Sequence, residues 1–312
     1  MKIVLLESLA IPKEVLKGFA DKLSEKGHQF VVYEKSTDDN ILIEHAKDAD
    51  VIMIANMPLS GNVIRSCSNL KFINVAFPGV DHVDLEAAKE CGVKVSNASG
   101  YSTQSVAELV ICMMLSLLRN MNQVEERCRN AGTKEGLVGR QLEGKTVGIV
   151  GFGAIGTKLL NAFDCKVIAY SRSRKPTEQG WVDFANLDEL LEKSDLITLH
   201  CPLTAETRHM INAEKIAKMK SNAILINCAR GPVVDYEALA NALIDGRIGG
   251  AGLDVFETEP PLVSDHVMLH TPNTIVTPHI AFASEESMIM RAEIVFSSLD
   301  HWLEGKQVNI IL

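Results

Sequence analysis

Short apolar runs alternating with stretches of helical spacing constrain this chain more than any other feature. Strand-like runs fall at residues 2–6, 29–34, 50–55, 71–76 and 93–95, with helical patterns between them. Pro12 suits a helix first turn, Ser60 suits an N-cap, and residues 84–90 read as a short helix ended near Gly92. Such an order predicts a mainly parallel sheet, because parallel neighbours need a long crossover and a helix supplies it. A long helical pattern from about residue 102 through 120, continuing past a weak point towards 130, leads to a second block. There the alternation resumes near 145–150, 166–170, 195–199, 223–227, 250–254 and 274–277, the six strands of a complete dinucleotide fold. Ser284, with Glu285 and Glu286 in the first turn, opens a last helix that Gly305 stops and that is expected to return to the first block.

At 312 residues the chain has room for two full cores. With 46% hydrophobic and 23% charged residues it is an ordinary folded protein with no extended disorder. Lys and Arg number 31 against 40 Asp and Glu, a net charge of −9, so the general field repels nucleic acid and anionic lipid, and an anionic ligand needs a local cluster. The longest apolar helical stretch, near residues 109–118, is far short of the roughly 20 residues needed to span a bilayer. The apolar start reads as a first strand, not a signal peptide, and the expected location is the cytoplasm. Seven scattered cysteines without a C-x-x-C pair are expected to be free thiols, with no metal site.

Gly151-Phe-Gly153-Ala154-Ile155-Gly156 follows an apolar strand and opens a helix. In that setting Gly151 permits the tight turn, Gly153 lets the backbone approach a pyrophosphate, and Gly156 allows close helix packing. An NAD-selecting fold carries an acid at the end of the second strand, whereas this chain reads Tyr170-Ser171-Arg172-Ser173-Arg174-Lys175. Three cations without the acid favour a 2′-phosphate, and therefore NADP over NAD.

Asn227-Cys228-Ala229-Arg230-Gly231, Asp254-Val-Phe-Glu-Thr-Glu259 and Thr277-Pro-His279 each follow a predicted strand, at the carboxyl ends where open α/β sheets hold ligands. Reduction of a 2-oxo acid needs a cation for the carboxylate and carbonyl, and an acid whose proton reaches the oxygen. Arg230 fits the first task through its planar fork, and His279 with a carboxylate partner fits the second. Cys201 with Pro202, and Cys228 with Ala229, are expected to line the cofactor site without nucleophilic duty, while His200 and His266 read as structural.

These segments, with Leu142-Glu-Gly-Lys-Thr146, His200-Cys-Pro-Leu-Thr204 and Gly252-Leu-Asp-Val-Phe256 in the same order, resemble the D-isomer-specific 2-hydroxyacid dehydrogenases over essentially the whole chain. The resemblance implies an α/β architecture with a Rossmann-type doubly wound cofactor domain, residues 100–283, inserted into a smaller flavodoxin-like substrate domain, residues 1–99 and 284–312. Substrate would sit in the cleft between them. By the same resemblance Arg230 binds and polarises substrate, Glu259 orients His279, His279 is the acid/base, and Asp254 holds the nicotinamide carboxamide. The loop containing Pro78, Gly79 and Val80 would offer amides to the substrate carboxylate, and a homodimer through the cofactor domain is implied.

Phosphoglycerate dehydrogenases of the family usually present an Arg where this chain has Ala55-Asn-Met57-Pro-Leu59, and formate dehydrogenases put Gln where Glu259 stands. Both substrates are disfavoured. Met57, Leu59, Phe77, Pro78, Tyr101 and Phe282 are expected to wall a pocket for a small side chain, suiting glyoxylate, hydroxypyruvate or pyruvate. Tyr101-Ser102 and Ala281-Phe282 resemble D-lactate dehydrogenases using NADH, whereas the Arg-rich cofactor loop resembles glyoxylate and hydroxypyruvate reductases. A nicotinamide-sensing binding protein without turnover is a further alternative.

Overall fold

Runs without polar interruption become strands covered on both faces. The computed structural model describes residues 1–159, 165–172 and 182–312, and divides into two units, Met1–Ser102 with Ala283–Leu312, and Thr103–Phe282. The first crossing falls at 102, against the expected 99, because Tyr101 and Ser102 are buried, 3% and 7% exposed, and belong to the first unit.

In that unit the strands β1 (Lys2–Leu5), β2 (Gln29–Val32), β3 (Val51–Ile54), β4 (Phe72–Val75) and β5 (Lys94–Asn97) form one parallel sheet in the order β2-β1-β3-β4-β5. This is the flavodoxin-like order. The crossovers carry α1 (Lys13–Glu25), α2 (Asp39–Ala46), α3 (Gly61–Ser66) and α4 (Leu85–Glu90). Ser60 caps α3 by accepting from Val63 N, and Asp84 caps α4 by accepting from Ala87 N. Every residue of β3 and β4 is buried, whereas β2 at the sheet edge is only partly covered.

The second unit begins with α5 (Thr103–Leu118) and α6 (Met121–Arg129), separated by Asn120 in a left-handed conformation, φ 53°. It continues through β6 (Thr146–Val150), α7 (Ala154–Leu159), β7 (Lys166–Tyr170), β8 (Val182–Phe184), α8 (Leu187–Lys193) and β9 (Leu196–Leu199). Then follow α9 (Ala213–Ala217), β10 (Ile224–Asn227), α10 (Tyr236–Ile244), β11 (Gly250–Leu253) and β12 (Thr274–Val276). The sheet has seven parallel strands in the order β12-β11-β10-β9-β6-β7-β8, the doubly wound arrangement with its switch point between β6 and β9. One strand was absent from the sequence reading: β8 is a three-residue edge strand beside β7 with a partly exposed pattern, too short to announce itself as an apolar run. Buried faces of α5, through Val106, Val110, Met113, Met114 and Leu118, join Ile149, Leu196, Ile224 and Ile226 in one core.

The last helix, α11 (Glu285–Leu303), starts at a reciprocal cap between Ser284 and Ser287 and packs in the first unit. Phe296 stacks on Phe19 at 4.2 Å, Trp302 stacks on Phe72 at 4.8 Å, and the buried Asn74 amide donates to Val295 O at 2.8 Å. Among the described residues no helix is long and apolar enough to cross a membrane, and no cluster of three or more His, Cys, Asp or Glu could hold a metal ion.

Candidate active site

The glycine loop sits at the switch point, at the carboxyl end of β6. Gly151 has φ +92°, and a Cβ there would lie 2.5 Å from the amide nitrogen of Cys201. Only glycine permits both the backbone conformation and that approach. A Cβ on Gly156 would press to 3.0 Å from Ile149, so α7 lies close on β6, with Ile155 packed into the core and Ala154 exposed. A Cβ on Gly153 would meet nothing within 4 Å. Open space at the middle glycine, between two positions closed to side chains, is the shape a nucleotide pyrophosphate requires, and these residues fit it.

At the end of β7, Arg172 is 84% exposed and lies 3.5 Å from Glu206, itself 78% exposed. Glu206 is in a turn pinned by Thr207, whose hydroxyl accepts from Thr204 N at 2.8 Å and donates to Pro202 O at 2.7 Å. Its approach to Arg172 joins residues distant in the chain, and no local signal in the sequence marks it. Ser173, Arg174 and Lys175 lie outside the described residues. Burial pushes the Cys201 thiol up to about 11 and raises Cys228 as well.

Arg230 follows β10 on a turn fixed by Asn227, which opens the same segment, and by Tyr236, which no local signal in the sequence marks. The Asn227 amide donates to Arg230 O at 3.0 Å and accepts from Ala229 N at 3.1 Å, while the Tyr236 hydroxyl donates to Val255 O at 2.5 Å. Burial holds the Tyr236 phenol in its protonated, donating form. A Cβ on Gly231 would come within 1.8 Å of Phe256 O, so the Arg230 turn lies directly against the segment after β11.

Asp254, at the end of β11, is fully buried and spends its carboxylate on the next strand end. It accepts from Thr277 Oγ1 at 2.6 Å, Ile280 N at 2.8 Å and Ala281 N at 2.8 Å, and its backbone carbonyl accepts from His279 N at 2.8 Å. Burial raises the Asp254 carboxyl and the hydrogen bonds from Thr277, Ile280 and Ala281 pull it back. His279 needs this support because its φ is +55°, a left-handed conformation costing a non-glycine residue about 1–3 kcal/mol. Glu259 then engages His279 Nδ1, at 2.7 Å to one carboxylate oxygen and 3.0 Å to the other. A carboxylate only accepts, so Nδ1 carries the hydrogen in this contact and Nε2 lies at the far end of the ring, away from Glu259. Phe282 meets the His279 ring edge-on at 5.4 Å.

Arg230, Asp254 and His279 therefore follow three adjacent strands, β10, β11 and β12, at the same sheet edge as the glycine loop. Residues 111–281 match the family described as D-isomer specific 2-hydroxyacid dehydrogenase, NAD binding domain. A hydroxypyruvate reductase of Blautia hydrogenotrophica is 35% identical across 100% of this chain and 99% of its own. The chain belongs to the D-isomer-specific 2-hydroxyacid dehydrogenases. A glyoxylate reductase of Thermofilum pendens is 38% identical over 85% of this chain and 81% of its own. Among solved structures, an acyclic imino acid reductase in complex with NADPH and D-Arg aligns with this dehydrogenase at a TM-score of 0.91 and 29% identity, covering 100% of both chains.

In the first unit of the dehydrogenase, Pro78, Gly79 and Val80 are half-buried, and Asn97 donates its amide to Pro78 O at 2.6 Å. Met57 and Leu59, expected as part of the pocket wall, are buried, 0% and 1% exposed. Leu59 is drawn inward by its bridge to Val83, and the same segment leaves Pro58 exposed and Asn56 half-buried instead. Tyr101 is likewise buried, with the Arg291 guanidinium 5.8 Å over its ring.

Proposed function

We propose that this dehydrogenase reduces a short 2-oxo acid, glyoxylate or hydroxypyruvate ahead of pyruvate, to the D-2-hydroxy acid, with NADPH preferred to NADH. The observation that carries the reading is the Glu259–His279 pair, 2.7 Å apart, on the sheet edge that also holds the glycine loop. Arg230 binds the substrate carboxylate and polarises the carbonyl, its turn held by Asn227 and Tyr236. His279 delivers a proton from Nε2 to the carbonyl oxygen while Glu259 stabilises the ring's orientation. A reduced nicotinamide, when bound, supplies the hydride to the carbonyl carbon. Gly79 and Val80 offer their amides to the substrate carboxylate.

The NADPH preference rests on Arg172 at the end of β7, where no carboxylate closes the strand. Its pairing with Glu206 is exposed at both ends and worth roughly 0.2–1 kcal/mol, so a 2′-phosphate can displace it. Leu115 and Met121, 37% and 48% exposed on α5 and α6, support a homodimer through this unit. The seven cysteines, free thiols in this fold, suit a reducing compartment and support a cytoplasmic location.

The test is oxidation of NADPH and NADH side by side against glyoxylate, hydroxypyruvate and pyruvate, with Arg172→Ser beside the native enzyme. Faster NADPH-linked turnover of the first two, and a loss of about five- to tenfold in NADPH affinity for the variant with NADH little changed, is expected for a charge-assisted contact to phosphate. NADH-linked turnover of pyruvate alone would make the enzyme a D-lactate dehydrogenase, and cofactor binding without turnover would make it a sensor.

A further inference from the structure

Glu7 is the buried carboxylate for which the reaction has no use. It follows β1, its side chain 7% exposed, and one oxygen accepts from Ala55 N at 2.9 Å and Met57 N at 2.8 Å. The other oxygen pairs at 2.6 Å with Lys35, whose side chain is 51% exposed. In the sheet order β2-β1-β3, Lys35 follows β2 and residues 55–57 follow β3, so Glu7 clasps the carboxyl ends of three neighbouring strands. A buried carboxylate is costly unless it is paired and hydrogen-bonded, and Glu7 is both.

The clasp has a defined output. Two amides in alternate positions, both taken by one carboxylate oxygen, determine the path of Ala55–Met57. Two residues on, Leu59 bridges Val83: Leu59 N donates to His82 O at 2.9 Å and Asp84 N donates to Leu59 O at 3.1 Å. Val83 N in turn donates to Val80 O at 3.0 Å. Hydrogen bonds, joined through the covalent segment 55–59, thus link Glu7 to the turn at Val80, with Gly79 beside it.

We propose that Glu7, backed by Lys35, is a positioning residue for substrate: it sets the placement of the Gly79 and Val80 amides through the 55–59 segment. The inference rests on the reading that those amides meet the substrate carboxylate. Glu7 never touches substrate, so its loss should weaken substrate binding and leave the chemical step and the cofactor site intact.

The experiment measures glyoxylate KM and kcat, NADPH affinity by fluorescence, and hydrogen exchange of peptides spanning 53–60 and 78–84 in Glu7→Ala, Glu7→Gln, Lys35→Met and Val80→Pro. Glu7→Ala is expected to raise KM about tenfold, the scale of a lost charge-assisted hydrogen bond, with kcat within about threefold and NADPH affinity unchanged. Glu7→Gln, which keeps an accepting oxygen, should rise about threefold, and Lys35→Met about twofold. Exchange should quicken in both peptides in the order of the KM changes. Should Glu7→Ala not fold, the glutamine and methionine variants carry the same split. Faster exchange at 53–60 with unchanged KM would overturn the proposal. Val80→Pro, which removes one amide, separates the two readings: if it raises KM while the Glu7 variants do not, the clasp alone falls, and if it leaves KM unchanged, the amide reading falls and takes the clasp with it.

Discussion

Two histidine–glutamate pairs lie close together in the sequence and do different things. His266 meets Glu257 at 3.1 Å and His279 meets Glu259 at 2.7 Å, and the two histidine side chains are similarly covered, 14% and 10% exposed. Burial and partner type do not tell them apart. The difference lies in what the fold takes from each ring. His266 gives Nε2 to Glu257 and uses Nδ1 to accept from Met268 N, capping the short helix Val267–Leu269, while Phe256 and Tyr236 pack against it edge-on. Its two nitrogens are consumed within the fold. Glu259 takes Nδ1 of His279, and Asp254 holds the turn around it with His279 at φ +55°.

Truncating the two rings is the strongest way to break that contrast. His279→Ala should lose about 10²–10⁴-fold in kcat, the worth of a positioned acid, with NADPH affinity unchanged. His266→Ala should keep kcat within about twofold and lose about 1–2 kcal/mol of stability through its cap and packing, read by thermal melting. Similar kinetic losses in both would end the distinction.

Exchanging the acids tests the same contrast at smaller amplitude. Glu259→Gln keeps the shape but can present the wrong hydrogen-bonding group to Nδ1, and should cost roughly 10–100-fold in kcat, within the range of acid–base effects. Glu257→Gln, on an exposed pair, should change steady-state kinetics by less than about twofold.

A third histidine sharpens the comparison by having no carboxylate partner among the described residues. His200 bonds Thr198 Oγ1 at 2.9 Å through Nε2, its buried Nδ1 has no partner among the described residues, and burial lowers its pKa from 6.5 to about 4. The unfolded chain therefore takes up this proton first as pH falls. Stability should be unaffected above pH 6.5 and decline from there towards pH 4, by at most about 1.4 kcal/mol per pH unit. Urea melts across that window should show the decline, and His200→Gln should remove this part of it.

Much of the fold was legible because its signals are local. Apolar runs such as Val51–Ile54 and Ile224–Asn227 are buried throughout, and a strand covered on both faces must be written that way. The edge strand Val182–Phe184 escaped because a three-residue element with one solvent-facing side has no such pattern. Arg230, Glu259 and His279 were singled out by their places after strands. Tyr236 and Glu7 were not, since each acts through backbone groups far along the chain, Val255 O for one and Ala55 N and Met57 N for the other, that only folding brings near.

By itself the sequence determined the two α/β blocks, the glycine loop and the residue types at the carboxyl strand ends, because periodicity, turn chemistry and strand-end position are properties of neighbours along the chain. Tertiary structure decided that both ring nitrogens of His266 are taken up within the fold, that Asp254 serves the His279 turn, and that Glu7 joins three strand ends. Those outcomes depend on hydrogen bonds between groups far apart in sequence, as with Glu7 and Met57, and a buried polar group takes whichever partner the packed chain brings within reach.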